Sequence, residues 1–492
     1  MQVMPGQNKR ILKGLPEIRR FFFKNSTPIY FISPTNFNLL GLDEWVKSFK
    51  YISYIDCYDK QHPNVFVPSE KPHDLFESIE EVNNYLLEHK EVVDYINKRG
   101  PGGIALFLMF DEKTESLCQE LDLKVGFPSA KLRNYVDNKV VTTRIAEKAG
   151  VPCVPNVLGK VSNYESLLGL AGDLGTDLVV QLPYGDSGNT TFFISSSEDW
   201  ERYKDKITAE PEVKIMKRIN CRGSAMEACV TRHGTIVAPL MTELIGFKSL
   251  TPYKGGWCGN ELYADVFTPE IREQARKYTE SFGNALREEG YIGYFELDFL
   301  IDTDTQKLYL GELNPRITGA SSITNHAVFA LADMPLFLFH LIEFMDVDYE
   351  IDVEEINQRW NDPDNIDTWS QLVLKRTEES LEWVTQAPPT GIWSMDRNGD
   401  IKFSRFDTHR RAVENEWEAF FLRIIKPGDV WYKGADLGIL VTRGRLMTDD
   451  FKLNARAHAW ISGLQQHFKT TPYEPHYSYK VPSETYEPFK LL

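Results

Sequence analysis

The segment "GELNPRITGASS" (311–322) places an acid, an amide and a guanidinium at alternate positions, Glu312, Asn314 and Arg316. In an extended strand alternate side chains point to the same face, so these three groups share one face. Such a polar face directly after the apolar run "LYL" is a poor core but is suited to a charged ligand. The planar fork of Arg316 matches carboxylate or phosphoryl oxygens, and the alternative for this arginine is a structural ion pair with a neighbouring acid.

A second acid, Asp298, lies on the apolar segment "YFELDFLI", which the polar turn "DTDTQ" connects to "KLYLGELNP". If the two segments pair as a hairpin, Asp298 and Glu312 lie on one face, where their charges repel unless a cation lies between them. Together with Asn314 they offer the oxygen ligands that Mg²⁺ prefers. We therefore predict a metal site at Asp298, Glu312 and Asn314. The alternative is a solvated outer face of the hairpin.

A glycine-containing turn, "PYGDSGNTT" (183–191), lies between two apolar strands. Its glycines permit backbone shapes in which N–H groups point to a common centre and bind an anion. The turn lacks the Walker pattern. It also does not begin a helix, which argues against a Rossmann dinucleotide turn. The residues that we predict to bind a ligand here are Gly185, Ser187, Gly188, Asn189 and Thr190.

The elements that must position these residues change in character along the chain. In the first third, apolar runs that we interpret as strands alternate with helical patterns, which predicts a parallel sheet with helical crossovers. From Leu178 onward hairpins dominate. The strands predicted in the first third are 28–33, 51–56 and 104–110, and the other predicted elements are helices at 74–100, 270–289 and 325–345, a linker or exposed turn at 353–367 and an extended tail at 470–492.

Length and composition limit the possible classes of protein. A chain of 492 residues exceeds what one hydrophobic core usually supports, so several packed subdomains are expected. The net charge of -16 argues against nucleic-acid binding, and no apolar run is long enough to span a membrane. The six cysteines form no CxxC pair, which favours free thiols in a reducing cytoplasm. We expect a cytoplasmic protein without nucleic-acid or membrane partners.

The glycine hairpin, the acid pair and "ELNPR", in this order, resemble the ATP-grasp superfamily and in particular its biotin-carboxylase-like branch. The segment "KAGVPCVP" (148–155) and Lys139 in "VDNKVV" match further motifs of that branch, and "GADLGILVTRG" (434–444) resembles its final lobe. The resemblance implies an α/β (α+β) class with the ATP-grasp fold. The domains that it implies are a Rossmann-like pre-ATP-grasp domain at 1–130, an ATP-grasp domain at 131–350 with a small lobe at about 155–220, and a mixed α/β C-terminal lobe with an extended tail at 351–492.

The resemblance also implies the cofactors and further site residues. ATP would lie between two β-rich lobes with two Mg²⁺ ions, or Mn²⁺ instead, on its phosphates, and Lys139 would contact those phosphates. Gln181 is found where the family usually has lysine before the glycine turn, and Lys217 in "IMKRI" (215–219) is found where an acid is common. We expect Lys139 or Lys217 to supply the cation that Gln181 lacks.

The activity implied by the resemblance is an ATP-dependent ligation. A carboxylate attacks the γ-phosphate to give an acyl phosphate, and an amine then displaces phosphate. Biotin carboxylases continue after the arginine with Gln-Val-Glu-His, whereas this chain has "ITGASSITNH", whose small residues leave room for a larger acceptor and offer hydroxyls. We therefore favour a carboxylate–amine (peptide-forming) ligase that uses a small carboxylic acid and an amino-acid-like amine. The sequence leaves the oligomeric state open, although relatives of this type often form homodimers. The alternatives are a biotin-carboxylase-type enzyme that activates bicarbonate and a nucleotide-binding homologue without catalysis.

Two other segments carry expectations about the same site. The loop "YKGGWCGN" (253–260) is expected to cover it and to exclude water from an acyl phosphate, a plain surface loop being the equal alternative. Glu227 is expected on the outer face of a hairpin.

Overall fold

The computed structural model of the chain describes residues 11–69, 76–185, 190–325 and 333–473. Within these residues three large β-sheets of five, four and eleven strands form the framework, and two smaller sheets accompany them. The mixed α/β class predicted from the sequence is confirmed. Three predicted site residues, Ser187, Gly188 and Asn189, and the tail beyond residue 473 lie outside the described residues.

The N-terminal region forms a parallel sheet, as the alternation of strands and helices predicts. Its elements are β1 (Ile11–Lys13), α1 (Gly14–Phe23), β2 (Ile29–Ser33), β3 (Phe49–Ser53), β4 (Val65–Phe66), α2 (Ile79–Glu88), α3 (Lys90–Asn97), β5 (Gly103–Phe107), α4 (Glu112–Glu120) and β6 (Leu123–Val125). The sheet order is β4-β3-β2-β5-β6, and all its pairs are parallel. Strand β2, "IYFIS", is buried at every position, as is typical of a parallel strand covered on both faces.

The prediction of one helix over 74–100 is wrong, because the helix breaks at His89. The backbone of His89 is extended, with φ -72° and ψ 125°, and its Nδ1 accepts a hydrogen bond of 3.2 Å from the N–H of Glu91. His89 therefore ends α2 and caps α3. Both helices bury apolar residues at helical spacing, so the hydrophobic pattern alone does not reveal the break.

Two helices lead into an antiparallel four-stranded unit, which we call the small lobe. The helices are α5 (Ala130–Asp137) and α6 (Lys139–Lys148), and the small lobe comprises β7 (Asn156–Gly159), α7 (Tyr164–Ala171), β8 (Leu178–Gln181), β9 (Thr191–Ile194), α8 (Ser197–Ala209) and β10 (Val213–Lys217). Its strand order is β7-β10-β8-β9. Val213 and Ile215 share a core with Trp200 of α8, whereas Met216 belongs to a separate cluster with Val179 on the other face.

The central part of the chain supplies the first half of the eleven-stranded sheet. Its elements are β11 (Cys221–Thr231), β12 (Gly234–Val237), β13 (Met241–Ile245), β14 (Trp257–Leu262), α9 (Pro269–Glu288), β15 (Gly293–Asp302), β16 (Leu308–Asn314) and α10 (Ser321–Thr324). Helix α9 matches its prediction: Thr268 caps it, Pro269 occupies its first turn, and Gly290, with φ +87°, follows its end.

The C-terminal part continues the same sheet. Its elements are α11 (Leu336–Glu343), β17 (Asp348–Glu350), α12 (Val353–Trp360), β18 (Trp369–Lys375), β19 (Glu382–Gln386), β20 (Gly391–Met395), β21 (Ile401–Arg405), β22 (Glu418–Arg423), β23 (Val430–Trp431), β24 (Asp436–Arg443), α13 (Ala455–Gln466) and β25 (Lys469–Pro472). Strand β18 pairs with β14, so the sheet order is β16-β15-β11-β13-β14-β18-β24-β22-β20-β21, with β12 beside β11.

The linker or exposed turn predicted at 353–367 is wrong for its first half, because residues 353–360 form α12. Asp352 caps this helix by accepting a hydrogen bond from the N–H of Glu355. The helix buries Ile356 and Trp360 and exposes its acidic residues. The remaining short helices are single 3-10 turns at Phe37–Leu39, Leu42–Glu44, Gly172–Leu174, Pro363–Asn365 and Arg410–Ala412. Of the described helices, none has both the length and the apolar character needed to cross a membrane.

Candidate functional site

A cavity of about 580 Å³ lies where the small lobe faces the large sheet. Strands β8 and β10 contribute to one side of it, and β13, β15, β16 and β18 contribute to the other. Residues that are far apart in the sequence are therefore brought together here. The sequence-predicted residues that line the cavity are Gln181, Gly185, Asp298, Glu312, Asn314 and Arg316.

The hairpin of β15 and β16 supplies the polar side of the cavity. Asp298 lies directly opposite Glu312, and next to this pair Glu296 lies opposite Asn314. The Nδ2 of Asn314 donates a hydrogen bond of 3.1 Å to Oδ2 of Asp298. The Nη2 of Arg316 donates one of 3.0 Å to Oδ1 of Asn314. The amide therefore connects the acid to the guanidinium and fixes their relative orientation.

Lys139 connects this hairpin to the glycine turn. It is the first residue of α6, which Asn138 caps through the N–H groups of Val140 and Val141. The Nζ of Lys139 donates hydrogen bonds of 2.8 Å to Oε1 of Glu312 and of 2.8 Å to the carbonyl oxygen of Gly185. Its side chain is 7% exposed, so this ion pair is largely shielded from water.

Two acids that sequence reasoning missed, Glu243 and Glu296, line the same cavity. Burial and the nearby carboxylates of Glu296, Glu243 and Glu312 raise the pKa of Asp298 well above its ordinary value. Burial, followed by the charge of Glu312, raises the pKa of Glu243 to about 7. Burial and the neighbouring acids likewise raise the pKa of Glu296. The signal for Glu296 was present in the alternation of "ELD", whereas Glu243 is on a distant strand.

This donor set fits a hard divalent cation. Among the described residues no three His, Cys, Asp or Glu side chains are arranged to hold a metal, so a bound ion would need the amide oxygen of Asn314 in addition to Asp298 and Glu312. Carboxylate and amide oxygens are ligands that suit Mg²⁺. A cation between the carboxylates would also relieve the repulsion that raises their pKa values.

The glycine turn connects β8 to β9, and Gln181 lies opposite Thr191 at its base. Gly185 has φ +144°, a conformation that favours glycine, and a Cβ there would lie 2.1 Å from Oγ1 of Thr190. Thr190 packs against Gly185 and is not among the residues that line the cavity. The Nε2 of Gln181 donates to Oγ1 of Thr191 at 3.3 Å, and within the described part of the chain its Oε1 has no hydrogen-bond partner.

Lys217 is not brought to the cavity. It is exposed at the end of β10, where side chains alternate between the two faces of the small-lobe sheet. Met216 lines the cavity, so Lys217 points to the opposite face. The lysine on the face of Met216 is Lys214, which lies directly opposite Gln181 across β10 and β8. Sequence reasoning missed Lys214, although the alternation in "VKIMK" could have indicated it.

The expectation that Glu227 lies on an outer face is wrong, because its side chain is fully buried. Its carboxylate accepts hydrogen bonds from the hydroxyls of Tyr294 at 2.6 Å, Thr318 at 2.9 Å and Ser321 at 2.6 Å. The hydroxyl of Ser322 donates to Gln371. These hydroxyls, which we expected to contact an acceptor, are therefore used within the protein. Burial raises the pKa of Glu227, and the hydroxyls of its three donors and of Thr324 oppose that shift.

Tyr253, in the loop between β13 and β14, and Trp257, the first residue of β14, both line the cavity. The covering role that we predicted for this segment stays a prediction. The Nε1 of Trp257 donates a hydrogen bond of 3.0 Å to Oδ1 of Asn260. A Cβ added to Gly319 would lie 2.3 Å from the indole ring, so the ring fills the space that this glycine leaves. Lys375, which also lines the cavity, forms a buried ion pair with Asp436.

No family model matches the chain. An alignment over 227 residues, which covers 44% of the chain, is 24% identical to biotin carboxylase 1 of Bacillus subtilis. The match covers 48% of that enzyme, so the chain spans about half the length of this relative.

Solved structures match over most of the chain. The biotin carboxylase domain of 2-oxoglutarate carboxylase from Hydrogenobacter thermophilus, solved with MgADP and bicarbonate, aligns over 90% of this chain and 90% of its own, with a TM-score of 0.57 and 13% identity. Phosphoribosylamine–glycine ligase of Thermotoga maritima aligns over 90% of this chain and 97% of its own, with a TM-score of 0.55 and 12% identity. The cavity between a small lobe and a large sheet is thus found in a chain whose fold is the ATP-grasp fold, in the form that biotin carboxylases share.

Proposed function

We propose that the chain is an ATP-dependent carboxylate–amine ligase, which forms an amide bond through an acyl phosphate and releases ADP and phosphate. One observation carries this proposal. The oxygen donors of the β15–β16 hairpin and Gly185 of the glycine turn line one cavity between two β-lobes, and the buried Lys139 donates hydrogen bonds to both Glu312 and Gly185. A nucleotide triphosphate needs this combination of metal ligands, backbone donors and a cation, because its own charge must be neutralised before an anionic carboxylate can approach.

The side chains divide into two groups in this proposal. Asp298, Glu312 and Asn314 would hold Mg²⁺, or Mn²⁺ in its place, which when bound neutralises phosphate oxygens. Arg316 would bind the substrate carboxylate or the developing phosphoryl charge, and its Nε has no hydrogen-bond partner within the described residues. Lys139 and the backbone near Gly185 would contact the phosphates, with Lys139 exchanging part of its bond to Glu312 for the ligand.

Carbon–nitrogen bond formation is supported by the fold comparisons. One of the aligned structures is a phosphoribosylamine–glycine ligase, an enzyme named for the ligation of an amine with an amino acid. The substrates that we propose are a small carboxylic acid and an amino-acid-like amine. Tyr253, Trp257 and Lys375 border the same cavity and would contact the acceptor, since they lie on the side away from the small lobe.

A carboxylase that activates bicarbonate is the second candidate, and the sequence match to a biotin carboxylase favours it. The two candidates differ in their co-substrate. ADP formation that requires bicarbonate and no amine would favour the carboxylase, whereas ADP formation that requires a carboxylate with an amine favours the ligase. A homologue that binds nucleotide without catalysis would bind MgADP but would form ADP neither with bicarbonate nor with a carboxylate and an amine.

The test is a screen of paired small carboxylic acids and amino acids for magnesium-dependent ADP release, with mass spectrometry of the product. In Glu312→Ala the release should collapse while far-ultraviolet circular dichroism is unchanged. Glu120→Ala, an exposed acid at the end of α4, is the matched control and should behave as the wild type. Unchanged turnover in Glu312→Ala would contradict the metal assignment.

The cellular setting and assembly belong to the same proposal. All six cysteines are free thiols, as a reducing cytoplasm would keep them. A homodimer is proposed because the aligned Hydrogenobacter domain is described as a dimer. Light scattering on the purified chain tests this, and a mass of one chain would contradict it.

A further inference from the structure

Lys214 is a buried cation on the cavity face of the small lobe. It lies opposite Gln181 in the antiparallel pair of β10 and β8, and paired residues of neighbouring strands project from the same face. Gln181 lines the cavity, and so does Met216, which is two residues from Lys214 on the same strand and therefore on the same face. Position 214 thus faces the same side of the small lobe as the glycine turn.

Among the described residues, the ammonium of Lys214 has no ion-pair partner. The residue is only 3% exposed, and its Nζ takes part in none of the side-chain hydrogen bonds or ion pairs found among the described residues. Burial lowers the pKa of its ammonium, and the thiol of Cys153 and the carboxylate of Glu312 act in the opposite direction. An unpaired buried charge is costly, so this position is poor for stability alone.

The other buried lysine at this side of the cavity is already neutralised. Lys139 is held by Glu312, whereas the amide of Gln181 supplies no charge and its Oε1 lacks a partner among the described atoms. An anion bound beside Gln181 and Gly185 would therefore lie on the face of the small lobe that carries Lys214, whose ammonium pairs with no described acid. Its arrival would also offset the desolvation of the ammonium.

We propose that Lys214 binds the phosphate groups of the nucleotide, from across the sheet, and supplies the positive charge that Gln181 does not. This inference rests on the proposed function, because it requires a nucleotide in the cavity. The phosphate contact would come from the ammonium of Lys214 on β10, the strand that neighbours β8. This inference also predicts that a lysine at position 181 can replace the lysine at position 214, because these two positions are direct neighbours on adjacent strands.

The experiment measures MgADP and adenosine binding by calorimetry in four full-length proteins: wild type, Lys214→Met, Gln181→Lys/Lys214→Met and the control Lys160→Met. Lys160 is an exposed lysine of the same lobe, directly after β7. We expect Lys214→Met to weaken MgADP binding by about tenfold or more, as the loss of one charge-assisted contact does. Adenosine binding should stay within about twofold, and the double variant should recover MgADP binding to within about threefold of wild type.

The outcomes separate this inference from the proposed function. If wild-type protein does not bind MgADP, the proposed function fails and takes this inference with it. If wild type binds MgADP and Lys214→Met binds it equally well, only the role of Lys214 is overturned. An equal loss for adenosine and MgADP would assign Lys214 a structural role instead. A double variant that binds no better than Lys214→Met would overturn the exchange of charge between the two positions.

Discussion

The ammonium of Lys139 lies 2.8 Å from the carboxylate of Glu312, so the start of α6 is tied to β16, the first strand of the large sheet. The same ammonium also donates to the carbonyl oxygen of Gly185. One lysine thereby bridges the glycine turn of the small lobe and the acid side of the cavity. A ligand that contacts both Gly185 and Glu312 would therefore either compete with the hydrogen bonds of Lys139 or add to them.

Replacing Lys139 with methionine should make the unliganded protein more dependent on magnesium. Without the ammonium, Glu312 adds its full charge to the neighbouring carboxylates, and repulsion lowers the melting temperature. Added Mg²⁺ should recover more of the melting temperature in Lys139→Met than in wild type. Thermal unfolding with and without MgCl₂ measures this, and Lys131→Met on the exposed face of α5 is the control. Equal responses to Mg²⁺ in both proteins would contradict a metal site beside Glu312.

The pH dependence of stability should report on Glu243. Its pKa is raised to about 7, so the folded state retains a proton that the unfolded chain loses near pH 4.5. Stability therefore falls as the pH rises from about 4.5 through 7, and this loss is absent in Glu243→Gln. Without metal, the melting temperature of wild type relative to the variant should fall by on the order of 1–2 °C between pH 5 and pH 8.

Mg²⁺ should reduce this loss at pH 8, because the ionised carboxylate then has a cation near it. Melting curves at several pH values, with EDTA or with Mg²⁺, provide the comparison. Parallel pH profiles for wild type and Glu243→Gln would show that Glu243 is not protonated in the folded state at neutral pH.

Gly319→Ala should displace the indole of Trp257. The new methyl group would lie 2.3 Å from the ring, which must move and thereby strain its hydrogen bond to Asn260. Overpacking of this kind costs about 1–3 kcal/mol. MgADP affinity should change by less than about threefold, while the KM for the acceptor rises, since the metal ligands are on other strands. Gly169→Ala on α7, where a Cβ has nothing within 4 Å, is the matched substitution and should not lower the melting temperature.

Glu227→Ala should be among the most destabilising single substitutions in the large sheet. It leaves the hydroxyls of Tyr294, Thr318 and Ser321 without their buried acceptor. We expect a loss of about 3 kcal/mol or more, because several buried donors become unsatisfied together. Tyr294→Phe removes one of these bonds and should cost about 1–2 kcal/mol. Urea unfolding measures the loss of unfolding free energy in each variant. Equal losses in Glu227→Ala and Tyr294→Phe would contradict a cooperative network.

Some of the site could be predicted from the sequence because it depends on local pairing. Asp298 and Glu312 lie on two strands joined by a short polar turn, so their closeness is a local feature of the hairpin. Their direct opposition depends on a one-residue shift of register between Asp298 and Phe299, which the alternation alone does not predict. Lys217 shows the sensitivity of this reasoning, since a shift of one residue along β10 moves a side chain to the opposite face.

Other parts of the fold depend on contacts that local patterns do not encode. Glu243 reaches the site because β13 pairs with β11 and β14, and β14 in turn pairs with β18, which is more than a hundred residues away. Glu227 is an acid in a sequence typical of a hairpin, and only the packing of α10 beneath it shows that it is buried. The break at His89 is set by one backbone conformation within an unbroken hydrophobic pattern.

The pairing of β14 with β18 has a mechanical consequence. From β16 to β21 the large sheet is continuous and carries both the proposed metal ligands and Lys375, so these two ends of the cavity cannot separate without breaking backbone hydrogen bonds. The small lobe has its own sheet and its own core, and no strand of it joins the large sheet within the described residues. The backbone pairing therefore leaves the small lobe able to move as a unit relative to the large sheet. The β15–β16 hairpin and Lys375 form the fixed surface toward which the small lobe would close.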